Sequence, residues 1–107
     1  MITLAEENYL KAILSISLNK DGKVSTNSIA NEINTSAASV SDMLKKLQEK
    51  EFIEYEKYKG VELTVKGTKL ATSIVRKHRL WETFLVNKLD FSWAEVHDVA
   101  EQLEHIK

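Results

Sequence analysis

The chain contains no proline and only three glycines, Gly22, Gly60 and Gly67, in 107 residues. These are the residues that most readily end a helix, so their scarcity predicts long helices joined by short connections. The length suits one domain and leaves no room for a large enzyme of several lobes. Hydrophobic residues make up 43% and charged residues 29%, an ordinary globular composition that excludes disorder. No apolar run approaches the roughly 18 residues that span a bilayer. The stretch Met1–Glu7 lacks the basic and then apolar pattern of a secretory signal. Cysteine is absent, which excludes disulfide scaffolds, thiol catalysis and cysteine-ligated zinc or iron–sulfur centres. A cytoplasmic location fits.

Hydrophobic spacing then lays out the elements. Thr3-x-x-Glu6 is a capping box, in which hydroxyl and carboxylate satisfy two orphan amides. Tyr9, Ile13 and Ile16 follow at helical spacing, widened by Leu10 and Leu14. Asn19-Lys20-Asp21-Gly22 ends that helix. A short second helix starts after Ser25 or Thr26 and turns Ile29, Ala30 and Ile33 inward. Asn34-Thr35-Ser36 is a turn, and Thr35 or Ser36 caps a third helix. There Val40, Met43, Leu44 and Leu47 fall at i, i+3, i+4 and i+7. Phe52–Tyr58 is rich in β-formers, Lys59-Gly60 turns, and Val61–Thr64 alternates, which predicts a hairpin. Thr64 caps a long helix with Leu70, Ile74, Trp81 and Leu85 on one stripe. Asp90-Phe91-Ser92 breaks it before a last helix carrying Val96, Val99, Ala100 and Leu103. The expected fold is mainly α with a small β-hairpin: a winged helix-turn-helix, residues 1–70, followed by the start of a helical domain, residues 71–107.

A net charge of −1 does not announce a nucleic-acid binder, but the charge is unevenly spread. Thr64–Leu80 holds five basic residues and no acid, whereas Asp90–His105 holds five acids and no lysine or arginine. The third helix has one apolar face and one small, hydroxylated face. Ser36, Ala37, Ala38 and Ser39 at its start let the helix end sit deep in a major groove, where amides and hydroxyls meet phosphates and base edges. Thr26, Thr35 and Ser41 join the same candidate surface. Lys45 and Lys46 are placed for phosphates. Asp42 on that face could accept from a cytosine amine or act as a negative filter. Lys57, Tyr58 and Lys59 at the hairpin tip offer cations and a ring to the neighbouring backbone or minor groove. Any one of these features alone reads as a solvated face; in this order they favour DNA.

All three histidines fall in the last 30 residues. His97, Glu101, Glu104 and His105 stand at i, i+4, i+7 and i+8, within about 100° of a helix surface, on a face expected to be separate from Val96, Val99 and Leu103. His78 and Glu82 form an i, i+4 pair, and His78 shares the Ile74–Trp81 stripe, so it is expected to point inward. Such a set of nitrogen and oxygen donors suits Mn2+, Fe2+ and other divalent first-row ions. A charged outer face that happens to hold histidine is the plainer alternative. No H-E-x-x-H, nucleophile elbow or phosphate-binding glycine loop is present, so an enzyme, such as a small metallohydrolase, is the weak reading.

The chain resembles the diphtheria-toxin-repressor/manganese-transport-regulator (DtxR/MntR) family of metal-dependent bacterial repressors. The resemblance runs through Leu4–Ile13, Ile29-Ala30, Ser39–Leu47, Tyr55–Gly67, Arg76–Leu80, Val96–Asp98 and Leu103–His105. It implies a homodimeric repressor that binds Fe2+ or Mn2+ and then grips a palindromic operator near metal-uptake genes. It further implies one metal site at His78, Glu82 and His97 and a second at Glu101, Glu104 and His105. The iron branch carries cysteine at the position of Glu101, so this chain is moved toward all-nitrogen/oxygen ligation. A further ligand is implied at Asn8, which is acidic in the manganese branch and Met in the iron branch; Glu7 is an alternative. Where the manganese branch is acidic again, this chain has Lys11. The family's dimerisation helices normally continue past Lys107, so residues 71–107 are expected to be a truncated metal-binding and dimerisation domain. A metal-independent winged-helix module that contacts protein is the alternative from another class.

Overall fold

The computed structural model describes residues 2–19, 22–56, 59–89 and 92–105. Among them the order is α1 (Leu4–Asn19), α2 (Thr26–Ile33), α3 (Ala37–Glu49), β1 (Ile53–Glu56), β2 (Gly60–Leu63), α4 (Val65–Leu89) and α5 (Trp93–Leu103). The chain divides into two units, Met1–Ala71 and Thr72–Lys107. Lys20, Asp21, Asp90 and Phe91, read above as helix ends, lie outside the described residues, as do Lys57 and Tyr58 of the hairpin tip.

In the first unit the helix starts are set by hydroxyls. The Thr3 amide donates to Glu6 Oε1 at 2.9 Å and the Glu6 amide to Thr3 Oγ1 at 3.1 Å, the reciprocal box read from the sequence. Ser25, rather than Thr26, caps α2, and Ser36, rather than Thr35, caps α3. The three-residue turn between those helices works because Asn34 takes a left-handed φ of 62°, a conformation its short polar side chain tolerates. Strands β1 and β2 pair antiparallel from Ile53↔Leu63 to Glu56↔Gly60, and Val24 adds one bridge to Val61. Leu10, Ile13, Val24, Ile29, Val40, Leu44, Leu47, Ile53, Val61 and Ala71 form one buried cluster. Fully burying each aliphatic side chain contributes roughly 1.5–3 kcal/mol, so this cluster fixes α3 and the hairpin as one body.

Two acidic residues of that unit, Glu6 and Glu7, are buried. Glu6 is buried, and Lys50 Nζ, at the end of α3, lies 2.8 Å from its carboxylate. Burial pushes the Glu6 carboxyl up. The Lys50 ammonium and the Thr3 amide and hydroxyl outweigh that, so it titrates below its ordinary 4.5. A lowered folded-state value means the pair adds stability above about pH 4.5 and loses it as pH falls through the folded value. Lys50→Met is expected to cost about 1–2 kcal/mol at neutral pH, since it strands a buried carboxylate. The difference from wild type should shrink in acid. Urea unfolding at pH 7 and pH 3.5 checks this; an equal gap at both would remove the ion pair as its cause.

In the second unit, Leu85, Val96 and Ala100 are buried, with Trp81, Val86, Val99 and Leu103 against them. Ser92 caps α5 through a full capping box with Glu95. The helix ends at Leu103, with Glu104 as its C-cap.

Candidate nucleic-acid interface and metal centre

The exposed face of α3 follows from its buried one. With Val40, Leu44 and Leu47 turned into the core, Ser36, Ala37, Ala38, Ser39, Asp42, Lys45 and Lys46 are exposed, and Thr35 and Ser41 are half-buried. Ser36 Oγ accepts from the Ser39 amide at 3.2 Å and donates to Ser39 Oγ at 3.0 Å. Both hydroxyls are therefore partly occupied in capping. Thr26 is half-buried at the start of α2. Lys59 pairs with Glu56 at 3.4 Å, which ties one of the wing's cations back to its own strand.

Contacts invisible to sequence spacing lock α3 to the hairpin. Gln48 Oε1 accepts from the Tyr55 amide at 2.7 Å. Thr64 caps α4 by accepting from the Gly67 amide at 3.0 Å, and donates to the Glu51 carbonyl at 2.7 Å. Lys66 donates to the Lys50 carbonyl at 3.1 Å and lies 4.9 Å from the centre of the Phe52 ring. Strand alternation gave a hairpin at these residues; it carried no signal for which α3 side chain would hold it.

In the second unit α4 and α5 bring their histidines together. His78 is inward, as its stripe predicted, and only 9% exposed. Its Nδ1 is hydrogen-bonded to Glu104 Oε2, and its Nε2 lies 3.4 Å from Glu82 Oε2. His97 Nδ1 lies 3.7 Å from the same Glu82 oxygen and its Nε2 lies 3.6 Å from Glu101. The His78 and His97 rings stand edge to face with centres 5.0 Å apart. His105 Nε2 lies 3.1 Å from Glu104 Oε1.

The expectation of a separate polar face on α5 is corrected for Glu104. It is 1% exposed and continues the buried Val96–Ala100 row at i+4 and i+8, so its carboxylate is an inward group. His97 stays outside, its side chain 61% exposed. Glu104 thus reaches His78 as well as His105, and the side chains read as two sets of three join in one chain of contacts.

A metal fits this donor set. One ligand atom each from His78, Glu82 and His97 lies within 4.8 Å of the others. That approaches the ~4 Å between opposite ligands on an ion with bonds near 2.0–2.2 Å. The donors are imidazole nitrogen and carboxylate oxygen without sulfur, which suits Mn2+ and Fe2+. Asn8, on α1 in the first unit, has a buried Oδ1 with no hydrogen-bond partner among the described residues.

Residues 1–61 match the family described as "Iron dependent repressor, N-terminal DNA binding domain", and residues 64–107 match "Iron dependent repressor, metal binding and dimerisation domain". The HTH-type transcriptional regulator MntR of Listeria welshimeri is 38% identical over 106 residues, covering 98% of this chain and 72% of that relative. The solved manganese regulator SloR is 44% identical with a TM-score of 0.79, over 95% of this chain and 47% of its own. A manganese-dependent transcriptional repressor in complex with manganese is 43% identical with a TM-score of 0.82, over 94% of this chain and 45% of its own. The chain therefore spans just under half the length of these two solved regulators. A helix-turn-helix followed by a His/Glu cluster, matched by family over nearly every residue, makes this chain a member of the DtxR/MntR family of metal-dependent, DNA-binding transcriptional repressors.

Proposed function

We propose that this chain is the DNA-reading and metal-sensing part of a homodimeric, cytoplasmic repressor that grips operator DNA when Mn2+ or Fe2+ is bound. The observation that carries the proposal is the convergence of His78, Glu82 and His97 from two helices. In this reading His78, Glu82 and His97 form one ligand set, Glu101, Glu104 and His105 extend it, and Asn8 is a further ligand. The ion would supply a compact positive charge that neutralises carboxylates otherwise crowded together. Glu104, hydrogen-bonded to His78 Nδ1, orients the ring so that its Nε2 faces Glu82. The role is regulatory, not catalytic.

Helix α4 runs unbroken from Thr64, its cap at the hairpin's base, through His78 and Glu82. Moving a mostly inactive population to a mostly active one takes a differential affinity of about 5.5 kcal/mol. Two reading heads about 34 Å apart would meet successive major grooves. The dimer reading is supported by an apolar face on α4, where Leu80 and Phe84 are 64% and 44% exposed and Trp81 stacks edge-on against Phe84.

Duplex binding measured with Mn2+, with Fe2+ under anaerobic conditions, and with chelator tests the proposal. Equal affinity with chelator and with metal would end it. Lys45→Ala with Lys46→Ala is expected to weaken binding about tenfold across all sequences. It should also lower the slope of log affinity against log salt by up to about 2, because each phosphate contact contributes roughly 0.9. An unchanged slope would place these lysines away from phosphates.

A further inference from the structure

Asp42 is the one acidic side chain in the first two turns of α3. At 100° per residue it lies about 165° from the mean direction of Val40, Leu44 and Leu47, so it stands at the centre of the exposed face beside Ala38 and Lys45. The core does not need it. The cap does not need it either, because Ser36 fills that role. It lies beyond the first turn, where the helix dipole favours a carboxylate. Among the described residues it makes no hydrogen bond or ion pair. A carboxylate in that position is repelled by any phosphate backbone the helix approaches. Around it, Ala37 and Ala38 offer only methyl groups, and the Ser36 and Ser39 hydroxyls are joined to each other.

We infer that Asp42 is a specificity residue, whose carboxylate accepts a hydrogen bond from the exocyclic amine of a cytosine in the major groove. The inference rests on the DNA-binding reading above and deepens it. An ionised carboxylate only accepts, so it needs a donor on the base edge. Guanine and thymine present acceptors there, and only cytosine N4 and adenine N6 donate. Adenine sets the N7 lone pair beside its amine, facing the second carboxylate oxygen. Cytosine sets only a C–H there. The Ala37 and Ala38 methyls leave room for the helix to approach closely enough for so short a side chain to reach.

The test is binding-site selection from random duplexes by the Mn2+-loaded protein, wild type and Asp42→Asn, followed by affinities for all four base pairs at the responding position. Wild type is expected to favour cytosine there by about tenfold or more, the range a good base contact supplies. D42N should move that preference to adenine, which the amide meets at N6 and N7 together. Asp42→Ala should lose the cytosine preference and gain none, with a salt slope no shallower than wild type. If D42N and D42A tighten binding to every duplex alike and select the wild-type site, Asp42 is an electrostatic filter and the inference is overturned. If wild type selects no duplex, the DNA-binding reading fails first and takes this one with it.

Discussion

His97→Ala is expected to lose most of the thermal stabilisation that Mn2+ confers, with little change in the stability of the metal-free chain. A ligand present at a hundred times its Kd stabilises a folded protein by about 2.7 kcal/mol. If removing one of the three proposed ligands raises Kd a hundredfold, that gain falls to about 0.4 kcal/mol at the same metal concentration. His97 is the proposed ligand to remove because its side chain is 61% exposed, so its loss opens no cavity. His78 is the wrong choice for this purpose. It is buried against Glu104, and deleting it would leave a buried carboxylate short of a partner. Thermal unfolding with and without Mn2+, paired with calorimetric titration, reads both quantities. Undiminished stabilisation in His97→Ala would remove this residue from the ligand set and take the convergence argument with it.

The second large effect is at Gly67, and there the prediction concerns the fold that positions everything else. A β-carbon on Gly67 would collide with the Phe52 carbonyl group, its carbon lying 2.9 Å away. The obstacle is backbone, not the end of a flexible side chain, so relief requires α4 and the α3–β1 connection to separate. Gly67→Ala is expected to cost about 3 kcal/mol, at the upper end of the overpacking range. That is a fall in Tm of roughly 15 °C for a unit of this size. Gly22→Ala is the control. Gly22 has a φ of 94° but nothing within 4 Å of a built β-carbon, so it should cost only about 1–2 kcal/mol of conformational strain. Circular-dichroism melts of both variants decide it. Equal losses would mean that backbone conformation, rather than the close approach to Phe52, limits position 67.

The capping box at Thr3 and Glu6, the apolar row of α3, the hairpin and the inward turn of His78 were legible, because each is a matter of spacing along one element. The choice between Ser25 and Thr26, or Thr35 and Ser36, was not: adjacent hydroxyls satisfy the same pattern, and only the actual dihedral angles select one. The burial of Glu104 was misjudged because position i+8 from Val96 puts a charged residue on an apolar row. Periodicity alone assigns such a residue to water unless a partner is known.

The sequence by itself determined the local order of the protein: where helices start, which faces are apolar, and that its histidines and carboxylates crowd one end. Short-range hydrogen bonds and a 3.6-residue period are enough for that. Tertiary structure alone decided which of those groups meet. Glu104 reaches His78 across 26 residues, Lys66 reaches Lys50 across 16, and Gly67 lies under the Phe52 carbonyl. Such pairs arise only when helices pack, since a distance between elements depends on every side chain that fills the space between them.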